Sequence, residues 1–248
     1  MQTDDRVTVE GGGKNRSRGP LAGIAAVAVI LVAGAVFLLT RNDTPVAEPA
    51  PNATDIRDAD DGSEYPPLAP GAYFVDTNPD DASSLRGTFV IEGGGWSSVA
   101  SSGPIKVSGE DYVLLLVVEV DEVYESPCEM SGRGPVAAGS TAEELANQVA
   151  ANGFTVRETL TPVSAFGHEG YHLVTEVPAG CAGELNQAWN GGNWDGRYYQ
   201  APGQVVEYWF LDVEGTPVMV EATWFPGSSP QEDLAELRAV IDTLVITP

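Results

Sequence analysis

The sequence predicts an α+β domain behind one N-terminal transmembrane helix: a mostly antiparallel sheet covered by two amphipathic helices and closed by one disulfide. Three observations predict it. Residues 21–39, LAGIAAVAVILVAGAVFLL, contain no charged or polar side chain. Residues 204–225 read as two strands, QVVEYWFLDV and TPVMVEATWF, joined by Glu214-Gly215, the pattern of a tight hairpin whose glycine supplies a positive φ. Two stretches, starting at Ser140 and Ser229, combine a capping pattern with helix-period apolar residues.

In chain order, residues 1–20 form a short tail that carries Lys14, Arg16 and Arg18. Residues 21–40 follow as the transmembrane helix; at about 1.5 Å per residue, 19 apolar residues span about 28 Å, close to the hydrocarbon thickness of a bilayer. The basic side stays in the cytoplasm, so the tail is cytoplasmic and everything beyond the span is exported. A cleaved signal peptide is the alternative, with Ala33-Gly34-Ala35 as its small-residue site, but Val36 to Leu39 prolong the apolar run past it. A lipoprotein anchor needs a Cys just after the run, and none occurs before Cys128.

Residues 41–70 read as an acidic, Pro-rich linker without a core, since five prolines precede Pro70 among clustered acids and small residues. Asp58-Ala59-Asp60-Asp61-Gly62 is a solvated stretch of it, because Gly62 stands where a calcium loop needs a ligand. Asn52-Ala53-Thr54 matches a glycosylation acceptor.

Residues 71–248 form the extracellular α+β domain. Thr88–Glu92 and Tyr112–Asp121 are strands, and the continuous run Val113–Val118 suits one covered on both faces. Phe154–Val163 and Tyr171–Val177 are strands bounded by Gly and Pro. The first helix is capped at Ser140 or Thr141, each with a Glu three residues on, and ends at Gly153. The second has Ser229 as its cap and Pro230 at the first helical position. Its apolar stripe is Leu234, Leu237, Ile241 and Leu244, with Glu232, Asp233, Glu236 and Asp242 turned outward.

Net charge excludes one class of partner. The 248 residues carry 12 Lys plus Arg against 36 Asp plus Glu, −24 in all. Beyond residue 41, seven basic side chains face 33 acidic ones, a balance of −26. Such a surface repels phosphate, so no nucleic acid is a partner.

Cys128 and Cys181, the only cysteines, both lie in the exported part and read as one disulfide. His168-Glu169-Gly170-Tyr171-His172 is a literal H-E-x-x-H, which in zinc hydrolases places two His on one helical face with the Glu activating water. Here Gly167 and Gly170 break a helix, and the residues from His172 to Val177 read as a strand, so the match implies no catalytic residue, metal or cofactor. A zinc-dependent hydrolase using His168, Glu169 and His172 stays as the enzymatic alternative. Gly93-Gly94-Gly95-Trp96 is a turn leading to a packed Trp, and Gly11-Gly12-Gly13-Lys14 lacks the remainder of a phosphate loop. Between 186 and 199 a Gly-rich loop combines aromatic and amide groups. Trp189, Asn193, Trp194, Asp195, Tyr198 and Tyr199 are its candidate ligand contacts, because rings that cover an apolar face beside polar groups suit a glycan or peptide. Packing of these rings onto the sheet is the competing reading.

Tyr124 with Pro127-Cys128, Gly167 to Tyr171, Cys181 with Trp189, Tyr208 to Gly215, and Phe225 to Ser229 leading into Ala235-Glu236-Leu237 and Ile241 to Leu244 resemble a group of actinobacterial membrane-anchored or secreted envelope proteins. Their order of hairpin, Pro-Gly turn, helix and short final strand is similar to the PsbP-like and LpqN-like α/β/α sandwich. The resemblance implies an envelope location and that fold, and it carries over no catalytic residue. The sequence therefore points to a binding or interaction module on the outer side of the membrane, its partner a cell-wall glycan, a peptide or an envelope protein.

Overall fold

The computed structural model describes residues 48–59, 61–78, 81, 84–99, 102–109, 111–128, 134–181, 187–192 and 202–248. The chain divides into two units, Met1–Pro45 and Val46–Pro248, and all described residues belong to the second. The span expected at 21–40 lies outside them. Among the described residues, no helix is long and apolar enough to cross a membrane.

In chain order the strands are β1 (Thr54–Asp55), β2 (Pro67–Leu68), β3 (Gly71–Asp76), β4 (Arg86–Ile91), β5 (Trp96–Val99), β6 (Gly103–Ser108), β7 (Asp111–Val118), β8 (Glu122–Val123), β9 (Val136–Ala137), β10 (Thr155–Ala165), β11 (His168–Glu176), β12 (Trp189–Asn190), β13 (Val205–Val213), β14 (Thr216–Trp224) and β15 (Val245–Thr247). The helices are α1 (Ala142–Ala150) and α2 (Gln231–Asp242). An antiparallel sheet of eight strands, in the order β10-β11-β13-β14-β7-β6-β5-β2, forms the centre. A four-stranded sheet, β1-β3-β4-β15, and a three-stranded one, β12-β8-β9, accompany it.

Both faces of the central sheet are buried at its middle strands, β13, β14 and β7. Along β7, Tyr112, Leu114, Leu116 and Val118 join one core, while Val113, Leu115 and Val117 join the other. That is why this strand has no polar alternation: a strand covered on both sides gains from an apolar residue at every position. The first core lies under α1, which packs on β11 and β13. The second lies under α2 and the four-stranded sheet. The two helices thus belong to opposite faces, and α2 shares its face with the four-stranded sheet.

Local signals explain the turns. At the β13–β14 hairpin, Glu214 (φ 53°) and Gly215 (φ 88°) both adopt positive φ, and Asp212 Oδ1 accepts the Gly215 N–H at 2.9 Å. Two left-handed residues match the twist of the flanking strands, so Glu214 shares a strain that the sequence pattern assigned to the glycine alone. Of the two registers open at α1, the chain uses Thr141: its hydroxyl accepts the Glu144 N–H at 3.2 Å, and the Glu144 carboxylate accepts the N–H and hydroxyl of Ser140 at 2.9 and 2.8 Å. The helix closes at Ala150, three residues before Gly153.

Three expectations are corrected. The stretch 54–70 is part of the domain, not a linker, because Ile56 and Leu68 are buried and Arg57 bridges Asp55 and Asp76. Two well-placed apolar residues and one cation outweigh a composition that otherwise reads as spacer. Ser229 does not cap α2; its hydroxyl oxygen accepts the Phe225 N–H at 2.9 Å, and the helix starts at Gln231 after Pro230. Asp233 faces inward and is buried, and Glu236 is turned toward β5 and β6.

Candidate functional site

The H-E-x-x-H match lies on β11, a strand, as its flanking glycines indicate. His168 Nε2 lies 2.9 Å from the Ile246 carbonyl oxygen, and His172 Nε2 lies 2.8 Å from Glu207 Oε1. Four residues along a strand separate the two imidazoles by about 13 Å, too far to share a metal. Glu169 is exposed and, as an odd position, projects from the opposite face. Gly170 is there for a steric reason: a Cβ at this position would lie 2.0 Å from the Phe210 carbonyl oxygen on β13. Among the described residues, no group of three His, Cys, Asp or Glu side chains is placed to hold a metal ion.

His172 is nonetheless the centre of a charged cluster. Glu207 on β13 receives it on one oxygen and Arg238 of α2 on the other, the guanidinium nitrogen 2.5 Å away. A carboxylate only accepts, so His172 Nε2 carries the proton. Trp209 packs 5.3 Å from the imidazole, and the Arg238 guanidinium lies 5.0 Å from the centre of the Trp224 ring. Burial pushes the Glu207 carboxyl up, but the hydrogen bond from His172 and the charge of Arg238 outweigh it and hold the group below the usual glutamate range. The cluster ties β11, β13 and α2 together.

This has a pH signature. A carboxyl held below its ordinary pKa stabilises the fold above its unfolded-state value, about 4.3, and loses that contribution as pH falls through the folded value. The Glu207→Gln variant is therefore expected to lose less Tm than wild type between pH 7 and pH 3, while being less stable at pH 7. Thermal unfolding across that range checks it, and parallel pH profiles would refute it.

A second cluster pins the start of α2 to the sheet. Lys106 on β6 reaches Asp233 at 2.8 Å and Glu236 at 2.9 Å, Glu236 also accepts the Trp96 Nε1–H at 3.0 Å, and Asp233 takes a hydrogen bond from Ser108. Burial pushes the Asp233 carboxyl up, yet Lys106 and Ser108 bring it below the usual range. Lys106→Met leaves Asp233 buried without its cation and is expected to cost about 3 kcal/mol in urea unfolding, because breaking a buried pair exposes the desolvation penalty of the remaining charge. The tight turn before Trp96 fits here too, since a Cβ on Gly93 would meet Glu236 Oε2 at 2.6 Å.

The aromatic loop begins inside the core. Trp189 on β12 is fully buried, and its Nε1–H donates to Glu221 Oε2 at 2.8 Å; Glu221, also fully buried, accepts the Thr223 hydroxyl at 3.1 Å. Trp189 is therefore a packing residue and offers no face to a ligand, which corrects its assignment as a contact. Next to it, Asn190 Nδ2 donates to Glu122 Oε2 at 2.7 Å. Asn193, Trp194, Asp195, Tyr198 and Tyr199 lie outside the described residues. The disulfide joins Cys128 to Cys181 with their Cα atoms 4.6 Å apart, in the same core as Trp189.

Sequence reasoning missed Glu207, Glu221 and Arg238. A signal for the first two was present: each is the single acid in the middle of an apolar strand pattern, QVVEYWF and TPVMVEATWF. In a sheet covered on both faces, such a residue has no solvent side and must find a partner inside. Arg238 carries no comparable mark.

No protein-family model matches the chain, and no curated protein matches it. Among solved structures the chain is similar to LpqN, involved in cell envelope biogenesis of Mycobacterium tuberculosis, with a TM-score of 0.34 and 10% identity over 80% of this chain and 100% of that one.

Proposed function

We infer that the chain is a single-pass membrane protein with a cytoplasmic N-terminus, whose α+β domain acts outside the membrane as a binding module of the cell envelope without catalysis of its own. The observation that carries this reading is the uncharged run Leu21–Leu39 with Lys14, Arg16 and Arg18 on one side and an acidic chain on the other. The Cys128–Cys181 bridge supports it, since such bridges persist in oxidising compartments. Support for binding over catalysis comes from the polar clusters, whose groups engage one another to fasten helices to strands. The residues 193–199, which follow the buried Trp189, are the proposed ligand-contacting stretch, with Trp194, Tyr198 and Tyr199 suited to the faces of a glycan or peptide.

Protease added to intact cells is expected to digest the domain and leave a fragment of residues 1–40 with the membrane. Full protection of the domain would overturn the topology. Immobilised full-length protein in detergent is then expected to retain a cell-wall glycan or envelope peptide that the Trp194→Ala variant does not; turnover of a substrate without such retention would overturn the binding reading.

A further inference from the structure

Among the described residues, the six edges of the three sheets are not alike. Five of the edge strands, β1, β2, β9, β12 and β15, are two or three residues long. Short edges are a common defence against unwanted strand pairing. The sixth, β10, has 11 residues, and none of its side chains is fully buried. Among the described residues, the backbone of β10 is hydrogen-bonded only through its ladder with β11. Val156 on this edge is 41% exposed, one of the few large apolar side chains at the surface.

We propose that β10 is a docking edge, to which an extended cationic peptide segment of another protein adds as a further strand along Thr155–Thr161. This rests on the reading of the domain as a binding module. Strand addition draws its affinity from main-chain hydrogen bonds, and an open edge leaves its outward N–H and C=O groups free to make them. The stretch ends at Pro162, which has no N–H to offer. Charge selects the occupant. Arg157 is neutralised by Glu176, leaving the exposed Glu158 as the acidic side chain of the stretch on a strongly acidic chain. Lysine or arginine in an added strand meets the Glu158 carboxylate. A second copy of the same edge would bring together two acidic domains. The register of β10 also shifts twice, between Val156 and Glu158 and between Glu158 and Thr161, so the edge bends. A segment without fixed structure follows such a bend, whereas a rigid edge with the same bends does not.

The test uses the full-length chain in detergent micelles and hydrogen exchange read by mass spectrometry. The probe is a capped heptapeptide alternating lysine with valine and threonine. It is expected to slow exchange at Thr155–Thr161 at least tenfold. The same peptide N-methylated at every residue keeps its charge but lacks its main-chain donors on both edges, and it should slow exchange less than twofold, as should the counterpart with glutamate for lysine. Glu158→Lys, at an exposed position, should weaken binding of the lysine peptide at least threefold with unchanged Tm. Equal protection by the N-methylated peptide, protection at another site, or protection of β10 that rises with protein concentration alone would each overturn the proposal, the last in favour of a second copy. An envelope ligand that binds wild type and Glu158→Lys equally, with no change at β10, would overturn the docking edge while leaving the binding module standing.

Discussion

Trp189→Ala is expected to destabilise the domain by about 4 kcal/mol, within the range for a large aromatic removed from a core. Two losses combine. The ring is fully buried in the core that also holds Leu145, Leu173 and Tyr208, so its removal leaves a void that β12 cannot collapse into without losing its pairing with Val123. The indole N–H is also one of the donors to Glu221, a carboxylate with no solvent contact. Trp189→Phe separates the terms: it keeps most of the volume, removes the donor and should cost about 1–3 kcal/mol, the penalty for under-satisfying a buried acceptor. Urea midpoints at constant m-value measure both. A Trp189→Ala variant within 1 kcal/mol of wild type would mean that the ring is a surface platform after all, and equal costs for the two variants would mean that packing contributes nothing.

Trp189 also shows what a sequence can and cannot say. Its neighbourhood of rings, amides and glycines suggested a ligand platform, yet the residue that begins the loop belongs to the core. Whether an aromatic faces inward depends on what meets it, and Glu221 lies 32 residues away on another strand. The regular parts were legible for the opposite reason. The 213–216 turn, the Thr141 cap and the run Val113–Val118 are local patterns whose physics acts within a few residues. Short strands such as β1, β8 and β12 carry no periodicity at all, being two residues long, and exist only because partners elsewhere complete them. The inward turn of Asp233 is of the same kind. On a helix wheel it is polar and expected outside, but Lys106 from β6 supplies a buried cation that the wheel cannot see.

Removing the disulfide is expected to have an effect of similar size by a different route. The bridge spans a sequence separation of 53, and in the chain-entropy model a loop of that length stabilises by about 4 kcal/mol, because the unfolded chain loses conformations that the folded chain had already given up. For a domain of this size that corresponds to a fall in Tm of about 8–16 °C in the Cys128→Ala, Cys181→Ala double variant. The loop it closes contains β9, α1, β10 and β11, which include one whole helix of the first core and the edge of the central sheet. Calorimetry of the double variant against wild type measures the effect, and wild type in reductant should approach the same Tm once both sulfurs are free. Cys181 is buried while Cys128 is half-buried, so reduction at room temperature should be slow in buffer and accelerate with urea below the unfolding midpoint, as local opening exposes the bridge. Reduction equally fast with and without urea would show an exposed bridge, and a double variant within 2 °C of wild type would show that α1 and the β10–β11 hairpin hold their places without it.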